Sequence, residues 1–203
     1  MEECISVFDM LKIGVGPSSS HTLGPWRAAE RFLEELRQDF DLASITRVKV
    51  DLYGSLSLTG KGHATDLAVM LGLSGQDPEY IPVQDIDGII KAIENNHLIQ
   101  LGNEKALPFY ILQDIVFHKE FLPFHANGLT FTAFFENETE YASTFYSIGG
   151  GFVVKEERSN AKKKIAIKCA FPFPINNAAE LLDYTQKENK SISEIVYANE
   201  ISM

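Results

Sequence analysis

Downstream of Pro25, apolar Trp26, Ala29, Leu33, Leu36 and Phe40 recur while Arg27, Glu30, Arg31, Glu34 and Arg37 fill the other side. This is the 3.6-residue period of a helix lying on a core. The period then falls to two. Over Thr46 to Tyr53, Val48, Val50 and Leu52 alternate with Arg47, Lys49 and Asp51, which predicts a strand with one wet side. The apolar run Leu67 to Leu73 predicts a short helix, and Pro78 and Pro82 make Gly75 to Asp87 a loop. Ile86 to Asn95 reads as a helix that stops at Asn95-Asn96. His97 to Leu101 and Tyr110 to Phe117 read as strands separated by a turn region through Gly102, Asn103 and Pro108. Leu129 to Phe135 and Thr139 to Tyr146 form an antiparallel hairpin pattern, introduced by the turn signal His125-Ala126-Asn127-Gly128, and Phe152-Val153-Val154 resumes as a strand.

The two ends of the chain are patterned differently. Ile5 to Ile13 is a short amphipathic segment that Ser6 would cap. Lys155 to Lys168 is lysine-rich and without apolar periodicity until Ile165 and Ile167, the composition of a linker. Beyond Pro172 and Pro174, Asn177 is placed to cap a helix through Glu188 with Ala178, Leu181, Leu182 and Thr185 inward. Ser191-Ile192-Ser193-Glu194 is a capping box for a last helix running to Met203. Two apolar-faced helices with no following chain lead us to expect a second domain of which only the first helices are present. The whole pattern predicts an α+β fold: a two-layer sandwich of helices near 25, 65 and 86 on a mixed, largely antiparallel sheet. The sheet is expected to use the strands near 46, 97, 110, 129, 139 and 152.

Composition narrows the partners. The formal charge of −10 on 203 residues argues against nucleic acid or an anionic membrane surface. No apolar run approaches membrane-spanning length, and Met1-Glu2-Glu3-Cys4 does not open a signal peptide, so a cytoplasmic protein is expected. Cys4 and Cys169 are the two cysteines, too far apart in sequence to make a disulfide framework or a metal pair.

Three stretches carry chemistry. Gly14 to Pro25 holds Ser18, Ser19, Ser20, His21 and Thr22 just ahead of Pro25, a residue favoured at the first helical position. It reads equally as an anion site at a helix N-terminus or as a hydroxyl-rich helix cap with an incidental histidine. Gly54 to Asp66 follows a strand and enters a helix as a phosphate-binding loop would. However, Thr59 stands where that loop needs glycine, and Gly62 stands where it needs a hydroxyl after Lys61, so nucleotide binding is a poor reading. Ser147-Ile148-Gly149-Gly150-Gly151 interrupts a strand, either as a bulge or where the backbone must approach something closely. His97 and His118, at element ends, read as surface histidines.

Taken in order, Ser6-Val7-Phe8-Asp9-Met10 with Gly16 to Pro25, Gly54-Ser55 with Gly60-Lys61-Gly62-His63-Ala64-Thr65-Asp66, His125 to Gly128, and Tyr146 to Gly151 resemble the N-terminal β domain of the single-chain bacterial iron–sulfur L-serine dehydratases, or L-serine ammonia-lyases. The resemblance implies conversion of L-serine to pyruvate and ammonia with a [4Fe–4S] cluster in place of pyridoxal phosphate. The cluster cysteines belong to a C-terminal α domain, and this chain, with two isolated cysteines, is expected to bind no cluster and to be inactive alone. It implies a β domain over 1–154, a linker over 155–173, first helices of the α domain over 174–203, and a homodimer. By the same resemblance His63 is the base that removes the α-proton. Ser18, Ser20, His21, Thr22, Asn127, Ser147, Gly149 and Gly150 line the substrate site. Lys61, Thr65 and Asp66 support it from behind, and no metal ligand lies in the chain. The family's β domain also resembles the allosteric substrate-binding domain of some D-3-phosphoglycerate dehydrogenases. An effector-binding module without catalysis is therefore the rival reading, disfavoured because anion binding alone needs no base at His63.

Overall fold

The computed structural model describes residue 6, residues 12–156 and residues 171–202, so the expected Ile5 to Ile13 helix and most of the expected linker lie outside the described residues. The chain divides into two units, one of residues 13–159 and one of residues 1–12 with 160–203.

The first unit is α+β, as the pattern predicts. A π-helical turn, Ser19–Leu23, runs directly into helix α1, Gly24–Asp39. The buried stripe of α1 is wider than the spacing announces, since Ala28 and Phe32 join Trp26, Ala29, Leu33 and Leu36. Strand β1, Ile45–Leu52, leads through the four-residue helix α2, Ser55–Leu58, and a 3₁₀ turn, Gly60–His63, into helix α3, Thr65–Leu73. Helix α3 is apolar nearly all round because it is buried between α1 and its other neighbours.

Five strands form the main sheet in the order β4-β1-β5-β6-β7, with β4 spanning Ile115–Phe117, β5 Gly128–Phe135, β6 Glu140–Gly149 and β7 Phe152–Lys155. Only β1 and β4 pair in parallel; the other neighbours are antiparallel. Val48, Val50 and Leu52 share one face with Leu129, Phe131 and Ala133, and α1 packs on that face with Phe32 stacked 5.2 Å from Phe131.

Several expectations need correction. Helix α4 spans Val83–Asn96, starting three residues early because Pro82 already provides the extended residue ahead of a first turn. The strand near 97 is not in the main sheet: β2, Leu98–Leu101, pairs with β3, Lys105–Pro108, in a separate two-stranded sheet. Tyr110 to Phe117 is not one strand. Asp114 accepts from the Tyr110 N–H at 2.7 Å and from Arg47 Nε at 2.7 Å, which folds Ile111–Asp114 into the helical turn α5 and leaves only β4 extended. Asp51 is not on a wet face. It is 7% exposed, and its Oδ1 accepts from Lys49 Nζ at 2.7 Å and lies 2.6 Å from His118 Nε2. His118 therefore differs from a plain surface histidine: its ring stacks on Tyr53 at 4.6 Å. His97 is exposed and stacks on Tyr110 at 5.0 Å.

In the second unit, α6, Ala178–Glu188, is capped by Asn177, and α7, Ile192–Glu200, carries the Ser191/Glu194 capping box. The inward face expected for α6 is not buried: Ala178 and Leu182 are exposed and no residue of the helix is buried. Burial falls instead on Ile195 and Asn199 of α7, and the Asn199 amide pairs with the Phe173 backbone, donating to its carbonyl at 2.8 Å and accepting from its N–H at 3.0 Å. Among the described residues no helix is long and apolar enough to cross a membrane.

Candidate active site

Ser18 is extended, with φ −145° and ψ 126°, and its Oγ accepts from the His21 N–H at 3.3 Å. The Ser18 carbonyl takes the Thr22 N–H at 2.9 Å and the Leu23 N–H at 3.3 Å. The helix therefore begins at Ser19 and not at Pro25, which corrects the sequence expectation. It leaves the Ser19 and Ser20 N–H groups at the start of the turn with no hydrogen bond among the described residues.

Placing Pro25 inside a continuous helix has a further effect, because proline has no N–H to give to the carbonyls a turn back. Those carbonyls belong to Ser20, five residues earlier, and His21, four residues earlier. Both are met by hydroxyls from the other two motifs. Ser147 Oγ donates to Ser20 O at 2.7 Å, and Thr65 Oγ1 donates to His21 O at 2.6 Å. In return, Thr22 Oγ1 donates to the His63 carbonyl at 2.8 Å. Each histidine-bearing segment thus holds the histidine carbonyl of the other. The Ser147 contact also requires Gly24, where a Cβ would come within 1.9 Å of Ser147 Oγ. Asn127 closes the far side: its Nδ2 donates to Ser147 O at 3.1 Å, and its carbonyl accepts the Ser147 N–H at 3.0 Å.

The locks bring the two imidazoles together, with ring centroids 5.1 Å apart. Both nitrogens of His21 are occupied: Ser20 Oγ lies 2.9 Å from Nδ1 and Ser55 Oγ lies 2.9 Å from Nε2. Burial pulls the His21 pKa down and the neighbouring His63 adds to this, against an opposing hydrogen bond at Ser55. The His63 ring is half-buried and makes no hydrogen bond among the described residues. An imidazole without hydrogen bonds beside one bonded at both nitrogens leaves the His63 ring as the one whose nitrogens can face a bound molecule.

The other expected residues divide. Ser18 Oγ lies 3.4 Å from Ser20 Oγ, and both hydroxyls sit beside the Ser19 and Ser20 N–H groups. Thr22 and Ser147, expected to face a substrate, are buried and donate to backbone carbonyls. Thr65 is fully buried in the same way. Asp66 Oδ1 accepts from the Leu67 N–H at 3.0 Å, within the first turn of α3. Lys61 lies in the 3₁₀ turn, and its side chain is outside the described set. Gly149 ends β6, paired with Phe152 beyond a bulge at Ser147/Gly149, and Gly150 and Gly151 make the turn into β7, so the bulge is present. The sequence reading assigns Ser55 no role; its only signal was its place after Gly54 in the second motif. Among the described residues no group of three or more His, Cys, Asp and Glu is placed to hold a metal ion.

A family model described as serine dehydratase beta chain matches residues 6–158, a span that encloses all of these segments. The L-serine dehydratase of Haemophilus influenzae is 40% identical over 201 residues, which cover 98% of this chain and 44% of that protein. L-serine dehydratase 1 of Escherichia coli is 42% identical over 200 residues, covering 98% and 44% respectively. The L-serine dehydratase of Streptomyces coelicolor is 41% identical over 198 residues, covering 97% and 44%. The chain spans less than half the length of these curated relatives. With every motif inside the matched span and such identity along nearly the whole chain, this chain belongs to the serine dehydratase beta chain family.

Proposed function

We propose that the chain supplies the base and the carboxylate-binding wall of an L-serine dehydratase, an L-serine ammonia-lyase. The observation that carries this is the pairing of His63, without a ring hydrogen bond among the described residues, with His21, bonded at both nitrogens, at 5.1 Å, beside the N–H groups of Ser19 and Ser20. The substrate carboxylate lies against those N–H groups and the Ser18 and Ser20 hydroxyls, where the positive end of a helix favours an anion. His63 takes the α-proton, the electron pair left on carbon forms the Cα–Cβ double bond as the Cβ–O bond breaks, and the departing hydroxide takes up that proton to leave as water. The resulting aminoacrylate tautomerises to an imine, which water hydrolyses to pyruvate and ammonia.

The resemblance implies a [4Fe–4S] cluster, not pyridoxal phosphate, and such a cluster polarises the departing hydroxyl as a Lewis acid. This chain's residues do not fit that group, since two cysteines cannot supply its thiolates. In this reading the cluster is carried by an α domain outside the chain, and the assembly is a homodimer. Leu58, Phe121, Phe124 and Ile148 support a covering body: all are exposed, and all adjoin the motifs. The test is pyruvate formation from L-serine after anaerobic iron and sulfide reconstitution. It compares the 203-residue chain alone with the chain joined to the complementary part of a relative. Activity is expected only in the joined protein. His63→Ala should lower kcat about 10²- to 10⁴-fold with the melting temperature unchanged. Normal turnover by His63→Ala would remove His63 as the base, and turnover by the chain alone would overturn the placement of the cluster.

A further inference from the structure

The backbone around Ser55, the first residue of α2, is held on both sides. Gly54 sits at φ 54° and ψ −125°, and a Cβ there would come within 2.3 Å of the Ala126 carbonyl oxygen. Its N–H donates to Glu120 O at 2.8 Å, and the Ser55 N–H donates to Ala126 O at 2.8 Å. On its other side the Ser55 carbonyl accepts from the Thr59 N–H at 3.1 Å and from Thr59 Oγ1 at 2.9 Å. With both backbone groups fixed and a glycine neighbour that tolerates no side chain, the Ser55 Cβ has one direction. That direction puts its hydroxyl 2.9 Å from His21 Nε2.

We infer that Ser55 is a positioning residue for the histidine pair: it fixes the ring plane of His21 in either tautomer, and through it the side from which the His63 ring is approached. A neutral imidazole offers one donor and one acceptor, while a serine hydroxyl can take either part. Ser20 at Nδ1 is a neighbour in sequence and moves with His21; Ser55 belongs to another segment, 34 residues away, and provides the external reference. Loss of its hydroxyl leaves the ring bonded at one nitrogen and free to turn about its side-chain bonds. The substitution Ser55→Thr keeps a hydroxyl at the same carbon.

Nitrogen-15 and proton correlation spectra of the imidazoles in the 203-residue chain test this without reference to catalysis. A single His21 ring orientation, with its ring protons against those of His63, is expected in the wild type, exchange among orientations in Ser55→Ala, and return of the wild-type pattern in Ser55→Thr. Ser55→Cys serves as the hydroxyl-free variant if Ser55→Ala loses the amide pattern of the fold. The same single His21 ring orientation in the wild type and the hydroxyl-free variant would overturn the inference. A second arm rests on the serine dehydratase reading. In the joined, reconstituted protein Ser55→Ala should lower kcat about 10- to 100-fold, the scale of a small misplacement of a reacting group, with Ser55→Thr restoring it. An altered His21 ring orientation with unchanged kcat would overturn the link to His63. Failure of the wild-type joined protein to make pyruvate would count against the dehydratase reading, and the spectra would still decide the role of Ser55.

Discussion

Along its later turns helix α1 buries Phe32, Leu33 and Leu36 in the core, with Phe32 stacked on Phe131 and on Tyr141. At its first turn the same helix offers two carbonyls that Pro25 cannot satisfy, and hydroxyls from residues 44 and 127 positions away satisfy them. The first end is held by area removed from water and tolerates any side chains of suitable shape. The second end is held by a few directional bonds, each made by one atom of a distant segment, and a buried carbonyl without its partner is costly. One helix is thus anchored by packing where it serves the fold and by hydrogen bonds where it serves the site.

The largest expected effect breaks the packed end. Phe32→Ala should cost about 3–5 kcal/mol, read as a lower urea midpoint with unchanged slope. A loss below about 1 kcal/mol would mean that the packed end is not where the stability of this unit resides. The next variant acts on the bonded end. Thr65→Val keeps the shape of a fully buried side chain but removes the donor to His21 O, and should cost about 1–3 kcal/mol. It should also perturb the His21 ring spectrum, which Phe32→Ala should leave in place. Equal disturbance of that spectrum by both variants would erase the distinction between the two ends.

These two ends were not equally legible. Trp26, Ala29, Leu33 and Leu36 announce their burial through spacing, because packing on a core imposes the helical period on the sequence. The partners Thr65 and Ser147 cannot be read that way: a hydroxyl looks alike whether it meets a substrate or a carbonyl, and only the fold decides. For that reason Ser147 and Thr22 read as substrate contacts, while the fold buries them and points their hydroxyls at backbone carbonyls. Asp51 misled for a related reason, since alternation assigns it to solvent while Lys49 and His118 hold its carboxylate among them. In α6 the periodicity of Ala178, Leu181 and Leu182 foretold the helix correctly, but periodicity states which face is apolar and not what, if anything, covers it.

Ser143 makes the sharpest test of the contrast, although its expected effect is the smallest. It lies on β6 directly across from Phe131 of β5, on the face that packs against α1, and is 3% exposed. Its Oγ has no hydrogen-bond partner among the described residues, unlike the hydroxyls of Thr22, Thr65 and Ser147. A buried hydroxyl without a partner carries its desolvation cost uncompensated, while the methyl group of alanine does not. Ser143→Ala should therefore raise stability by about 1 kcal/mol, opposite in sign to Thr65→Val although each removes one buried hydroxyl. The urea midpoint should rise and the His21 spectrum should stay as in the wild type. A fall of similar size would mean that a hydroxyl in the packed layer is as firmly bonded as those in the site, and the two ends of α1 would then differ in composition but not in the physics that holds them.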